Sequence, residues 1–290
     1  MAQTWAMALH GGAGPVRSKT YEREEAHMRA VLEEGAAMLE GGAAALDVAT
    51  AMVKALEACG FHIAGKGASP NADGVWELDA AIMDGATRKA GAVAALVGFE
   101  SPVDVARAVM ENTPHVLLAG AGAAAFADKQ GLKRVEDAHA YYTPAASRAV
   151  KPGELAHGTV GAVIKDRAGR LAAATSTGGL LNKMPGRIGD TPLIGAGTWA
   201  DTRCAVSCTG QGELFIRANV AADVTARILY ARQSLHAAAA GALADMAALG
   251  GDGGLIAVGA DGEVATPFVS EGMKRAIATA SGVRDVRTFR

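Results

Sequence analysis

Residues 157–179 read HGTVGAVIKDRAGRLAAATSTGG, and the pair Gly158-Thr159 at its start is where chemistry can begin. If the bond between them is cut, Thr159 becomes an N-terminus with a hydroxyl and an α-amino group on one residue. An α-amino group titrates at about 7.7–8.0, so it can take a proton at neutral pH where an ordinary lysine cannot. Nucleophile and base then come as a single package. Glycine at 158 is expected because attack on the preceding carbonyl needs a close, strained approach that a side chain would obstruct.

The elements that must hold this pair follow from the pattern around it. TVGAVIK and RLAAATST are two apolar runs separated by DRAG, which predicts a hairpin with Gly169 supplying positive φ. Upstream, Thr4 to Leu9 reads as a strand ending in HGGAG (His10 to Gly14), where glycines allow a sharp turn or a close backbone approach. Apolar residues at helical spacing predict a helix from about Glu24 to Glu40, stopped by Gly41-Gly42, and a second one carrying Leu46, Ala49, Val53 and Leu56. Trp76 to Gly85 and Ala90 to Phe99 read as strands. Ser101 as N-cap with Pro102 behind it opens a further helix.

From about Asp128 to Ala156 no periodicity is sustained, and a mobile linker is expected there. Beyond the hairpin, strands are expected at Arg203 to Cys208 and Glu213 to Arg217, then one long Ala-rich helix from about Ala221 to Leu249. A closing hairpin has Asp261-Gly262 at its tip. Locally paired strands with helices gathered between them predict an α+β fold of antiparallel sheets covered by helices.

Composition narrows the partners. The 290 residues can bury a large core, half of them are hydrophobic, and aromatics make up only 4%, so the layers must pack through small side chains. The net charge of −2, with signs interspersed, leaves no basic stripe for nucleic acid. No run approaches a membrane span and no secretory signal is read at the start, so a soluble, cytoplasmic protein is expected. Three cysteines, Cys59, Cys204 and Cys208, argue against a disulfide framework and read as buried free thiols. The seven histidines lack metal-ligand spacing, so no transition-metal site is expected.

The ordered set HGGAG, ELDAAIMDG, HGTVGAV with AAATSTGG, GRIGDTPLIGAG, SCTGQGE and GGLIAV with TPF and EGM resembles the plant-type L-asparaginase/isoaspartyl peptidase family of N-terminal nucleophile hydrolases. The resemblance covers nearly the whole chain apart from the linker. It implies a four-layer αββα sandwich of two mostly antiparallel sheets, a single domain. It also implies a precursor cut between Gly158 and Thr159 into an α chain (1–158) and a β chain (159–290). The activity implied is cleavage of β-aspartyl dipeptides and of the side-chain amide of L-asparagine, releasing L-aspartate through an acyl-enzyme on Thr159. A dimer of αβ units is implied as well. A glycosylasparaginase-like amidase and a non-catalytic relative of the same fold are the alternatives.

The same resemblance implies roles for individual residues. Thr177 stands beside the Thr159 hydroxyl. Arg187 clamps an α-carboxylate and Asp190 accepts from an α-ammonium. Thr209 with the Gly210 backbone N–H forms an oxyanion hole, and Gly210 and Gly212 shape the substrate pocket. No cofactor is implied for catalysis. Backbone carbonyls of Leu56, Glu57, Cys59, His62, Ala64 and Lys66 are the implied ligands of a structural sodium ion. One departure stands out: Ile63 occupies a place where the family carries an asparagine.

Overall fold

Alternation along the strands decides how the layers stack. In β1 (Ala6–Ala13), Met7 and Leu9 point to one side and Ala6 and Ala8 to the other, as a repeat of two residues requires. The large side chains face helices; the alanines face a second sheet. The computed structural model describes residues 4–145 and 158–290.

The first helical layer is α1 (Glu22–Glu40) and α2 (Ala45–Ala58), close to the predicted bounds. Met28, Leu32 and Leu39 of α1 and Val48, Met52 and Leu56 of α2 form its buried stripes, each side chain contributing about 1.5–3 kcal/mol relative to exposure. Strands β2 (Leu78–Asp84) and β3 (Ala90–Leu96) follow as expected, then α3 (Pro102–Asn112). Ser101 is the N-cap residue of α3, but its hydroxyl does not cap. It donates to Glu57 (2.7 Å), whose carboxylate takes the Val103 N–H instead (3.1 Å).

A short β4 (Leu117–Ala119) and α4 (Gly120–Lys129) lead into the segment expected to be a mobile linker. Up to residue 145 the segment is held by specific contacts. Arg134 binds both carboxylate oxygens of Asp128 (2.6 Å each), and Asp137 caps a single turn, α5 (Ala138–Tyr141). Tyr142 stacks on Trp76 at 5.0 Å, and the Thr143 and Ala145 N–H groups donate to the carbonyls of Lys66 and Gly67. Local hydrogen bonds and one aromatic stack replace periodicity here. The remainder of the expected linker, 146–157, lies outside the described residues.

The hairpin β5 (Val160–Lys165) and β6 (Leu171–Thr177) forms around a turn in which Gly169 has φ 82°. It sits in the middle of an eight-stranded sheet of order β12-β11-β1-β5-β6-β2-β3-β4, where β11 is Met273–Thr279 and β12 is Arg284–Arg287. The pair β3–β4 is parallel, and the other named strand pairs are antiparallel. A second, four-stranded sheet runs β10-β9-β8-β7, from β7 (Thr198–Ala200), β8 (Cys204–Gly210), β9 (Gly253–Gly259) and β10 (Val264–Ala265). Gly262, φ 90°, stands at the tip of the closing β9–β10 hairpin.

Two expectations in the second half are corrected. Glu213 to Arg217 is not a strand but part of α6 (Gly212–Ala218). The alternation of ELFIR misleads because this short helix buries little beyond Phe215. The long Ala-rich helix is two helices, α7 (Val220–Ala231) and α8 (Leu235–Ala248). Arg232 turns left-handed at φ 56°, and the Ser234 hydroxyl accepts the Ala237 N–H to start the second. These three helices cover the outer face of the small sheet through Cys204, Val206 and Cys208 of β8.

Three apolar cores therefore separate four layers: helices on the large sheet, sheet on sheet, and the small sheet on helices. Ala6, Ala8, Ala173, Ala200 and Ala205 line the middle one. The expected αββα sandwich is the observed architecture.

Candidate active site

Thr159 immediately precedes β5, and Thr177 ends β6, so the antiparallel register brings the two threonines together at one end of the hairpin. The Thr159 hydroxyl donates to Thr177 Oγ1 at 3.2 Å. The Thr177 hydroxyl in turn donates to the Gly158 carbonyl at 2.9 Å and accepts the Gly179 N–H at 3.0 Å. Both threonines are buried. The carbonyl on the N-terminal side of Thr159 is thus hydrogen-bonded by the group that also touches the Thr159 hydroxyl.

Gly158 is closely confined. A Cβ added to it would lie 2.9–3.0 Å from three side-chain atoms of Ile63, a separation that requires something to move. On the other side, a Cβ on Gly12 would lie 3.0 Å from Gly158 Cα and 3.2 Å from Thr159 N. The HGGAG segment is therefore a close backbone approach within β1, rather than a turn that ends it.

A chain of polar groups runs from the Thr159 carbonyl into the space between the sheets. Burial pushes the His10 imidazole down to about 3, so the ring is neutral. Its Nδ1–H must donate to the Thr159 carbonyl (3.1 Å), leaving Nε2 to accept from Ser207 Oγ (2.9 Å). Ser207 Oγ lies 2.8 Å from Thr175 Oγ1, which accepts from Thr198 Oγ1 at 2.7 Å. All donors then point the same way, toward Thr159. Gly161 makes room for this chain, since a Cβ there would meet Ser207 Oγ at 2.0 Å and His10 Nε2 at 2.3 Å.

Thr159, Thr177, Arg187, Asp190 and Gly210 line one small pocket with Gly158, Gly179, Leu180 and Gly189. Its free space is about 10 Å³, close to one water molecule. Gly212 lies behind it: a Cβ there would be 3.0 Å from both Arg187 Nη2 and Asp190 Oδ1. Thr209 is fully buried and its Oγ1 accepts the Ala13 N–H at 3.0 Å.

Arg187 and Asp190 stand three residues apart in GRIGD but meet different surroundings. Arg187 is held by both oxygens of Glu213 (2.8 and 2.9 Å), and Asp190 is buried with Oδ2 lacking a hydrogen-bond partner among the described residues. Burial raises the Asp190 carboxyl to about 7, opposed by the nearby Arg187 cation. Asp79, within the ELDAAIMDG motif, is also buried; its Oδ1 accepts the Ala95 N–H at 2.8 Å. Burial raises its pKa as well, against the charges of Lys183 and Arg187.

Leu56, Glu57 and Cys59 lie at the end of α2, and His62, Ala64 and Lys66 in the loop beyond. The Leu56 carbonyl accepts the Cys59 thiol (3.2 Å), and those of His62, Ala64 and Lys66 accept N–H groups of Ala64, Gly67 and Thr143 (2.8–3.0 Å). Each carbonyl keeps a second lone pair. A Cβ on Gly67 would strike the His62 carbonyl at 2.0 Å, so that oxygen is approachable only because the residue is glycine. An all-oxygen donor set of this kind fits a hard cation such as sodium.

Comparison with known proteins gives the family. The family model described as asparaginase matches residues 3–288. The chain is 48% identical to an isoaspartyl peptidase of Salmonella typhimurium, covering 93% of this chain and 94% of the relative. It is 46% identical to an isoaspartyl peptidase of Escherichia coli, covering 93% and 91%. With a plant-type L-asparaginase of Pyrobaculum calidifontis the identity is 44%, covering 72% and 75%. A hairpin with paired threonines at its end, set in an αββα sandwich, and a match over almost the full length lead to one assignment: the chain belongs to the asparaginase family of N-terminal nucleophile hydrolases.

Proposed function

We propose that the chain cuts itself between Gly158 and Thr159 and that the product hydrolyses β-aspartyl dipeptides and the side-chain amide of L-asparagine. The observation that carries this reading is the Thr177 hydroxyl, bonded at once to the Thr159 hydroxyl and the Gly158 carbonyl. In self-cleavage, Thr159 Oγ attacks the Gly158 carbonyl carbon, which Thr177 polarises. The C–N bond breaks, the amide nitrogen becomes the α-amine, and an ester joins Gly158 to Thr159 Oγ. Water hydrolyses that ester and frees the two chains, 1–158 and 159–290.

Departure of Gly158 then opens the pocket it helps to line. Thr159 Oγ attacks the β-carbonyl of the substrate, its own amine takes the hydroxyl proton, and that proton passes to the leaving amine. Thr209 and the Gly210 N–H face the developing oxyanion. Arg187, aligned by Glu213, takes the α-carboxylate; Asp190, ionised, accepts from the α-ammonium. Water releases L-aspartate from the acyl-enzyme. Because the head group is fixed at this end, the leaving group points outward, which favours dipeptides over free asparagine.

A sodium ion held by the six carbonyls from Leu56 to Lys66 has a positional part in this reading. It would fix the loop whose Ile63 carbonyl accepts the Gly178 N–H at 2.8 Å. A dimer of αβ units and a cytoplasmic setting complete the reading, tested by native mass and fractionation. The activity is tested with a panel of asparagine, β-aspartyl dipeptides and a glycosylated asparagine. Aspartate release fastest from the dipeptides supports the assignment; release only from the glycosylated substrate overturns it.

A further inference from the structure

Three side chains that are 32 and 3 residues apart in sequence converge: His27 of α1, Cys59 at the end of α2 and His62 in the loop beyond it. One ring nitrogen of each histidine and the Cys59 sulfur all lie within 4.8 Å of one another. The spacing in the sequence gives no hint of this, because α1 and α2 must pack before the ligands meet.

The geometry points to a transition-metal site made by the side chains of His27, Cys59 and His62, taking a borderline divalent cation such as zinc. Two thirds of the ligand set is imidazole and the rest is sulfur, a combination that suits zinc and disfavours magnesium or calcium. A tetrahedral zinc with such ligands keeps them about 3.5 Å apart, so side-chain movements of about 1 Å complete the set. Three protein ligands leave the fourth position to water.

The second shell is already in place. His62 Nδ1 is 3.1 Å from the Gly11 carbonyl, so it carries the proton and donates. That bond fixes the tautomer that leaves Nε2 free to bind a metal. Nε2 of His62 and Nδ1 of His27 are both buried with no hydrogen-bond partner among the described residues, although His62 is almost fully enclosed. A buried ring nitrogen without a partner is costly, and a cation would satisfy it. Cys59 Sγ accepts the Phe61 N–H at 3.4 Å, a bond that favours the thiolate. Its own proton now goes to the Leu56 carbonyl and would leave to water as the S–metal bond forms.

The charges around the site are mixed. Burial raises the Cys59 thiol above its ordinary value, which Lys274 of β11 only partly opposes; the lysine also repels a cation, and Glu24 of α1 offsets its charge. The ligands here are side chains, distinct from the carbonyls assigned to sodium. His62 is joined to Ile63, which contacts Gly158, so the metal would sit one residue behind the cleavage site without touching the reacting atoms.

The test uses the full-length protein, stripped with chelator and titrated with cobalt(II) and then zinc(II). We expect one cobalt per chain, with the intense visible bands of a four-coordinate ion and a thiolate charge-transfer band, displaced by zinc. Cys59→Ser should abolish the charge-transfer band, and His27→Gln, on the half-exposed face of α1, should weaken zinc binding about tenfold or more. Near-ultraviolet circular dichroism establishes that each variant is folded; if Cys59→Ser is not, the wild-type band and His27→Gln decide. A six-coordinate cobalt spectrum without charge transfer, or unchanged zinc affinity in folded His27→Gln, overturns the site.

Discussion

Ile63 closes directly over Gly158: any Cβ at 158 would come within 2.9–3.0 Å of three atoms of the Ile63 side chain. The glycine expected for reasons of attack geometry is thus also demanded by a neighbour almost a hundred residues upstream. Gly158→Ala should slow self-cleavage at least tenfold, because the scissile carbonyl must shift away from Thr177. Ile63→Ala in the same chain should restore part of the rate. Band intensities followed over time on a denaturing gel measure both; equal rates in the single and double variants would refute the contact as the cause.

Thr177 supplies one hydroxyl to two partners, Thr159 Oγ1 and the Gly158 carbonyl. Thr177→Val keeps the β-branched shape and removes the hydroxyl. We expect a loss of about 10²-fold in processing rate, similar to the removal of a single donor from an oxyanion site. Thr177→Ser should retain most of it. Processing kinetics by intact mass would show the difference.

Asp190 gives a pH signature. Its carboxyl is raised to about 7 in the folded chain by burial, above the ordinary carboxylate value, so folding favours its protonated form. Its contribution to stability is present below the unfolded pKa and is lost as pH rises from about 4 to about 7. Asp190→Asn should flatten that part of the profile and raise Tm at pH 7, while KM for β-aspartyl dipeptides rises sharply. Glu57, also raised to about 7 by burial, and Asp79, raised by burial, retain their own shares of the slope. Thermal melts from pH 4 to 8 on both proteins provide the check.

Gly161 guards the hydroxyl chain under Thr159. A methyl group there would overlap Ser207 Oγ and His10 Nε2, and overpacking of this kind costs about 1–3 kcal/mol, with more for any polar group left unpaired. Gly161→Ala should therefore lower stability by at least about 2 kcal/mol in denaturant titration, whereas Gly169→Ala in the exposed hairpin turn acts only through its φ of 82°.

Much of this was legible in the sequence because it rests on local signals. The β5–β6 hairpin announced itself through Val/Ala runs around DRAG; the pattern of elements reached only as far as antiparallel sheets covered by helices, and the αββα layering was what the family resemblance implied. Where tertiary contacts decide, sequence patterns failed. ELFIR alternates like a strand, yet folds as α6, a short helix that buries little beyond Phe215. Ala-rich flanks hid the break at Arg232, where a left-handed residue ends α7 without glycine or proline. His10, Ser207 and Asp79 sat inside quoted motifs, but the partners of His10 and Ser207 are brought together across β1, β5 and β8, and that of Asp79 across β2 and β3. Arg187 and Asp190 were both identified, but the burial of Asp190 and the pairing of Arg187 with Glu213 arise from how the loop folds over α6.

The central claim is that Thr159 becomes an N-terminus. Intact-mass analysis of the purified protein, with and without Thr159→Ala, tests it most directly. We predict two chains in the wild type, one ending at Gly158 and one beginning at Thr159, with aspartate released from β-aspartyl dipeptides only after the cut. In Thr159→Ala we predict a single 290-residue chain without activity. A wild-type protein that hydrolyses these dipeptides while its mass remains that of the intact chain would contradict the account.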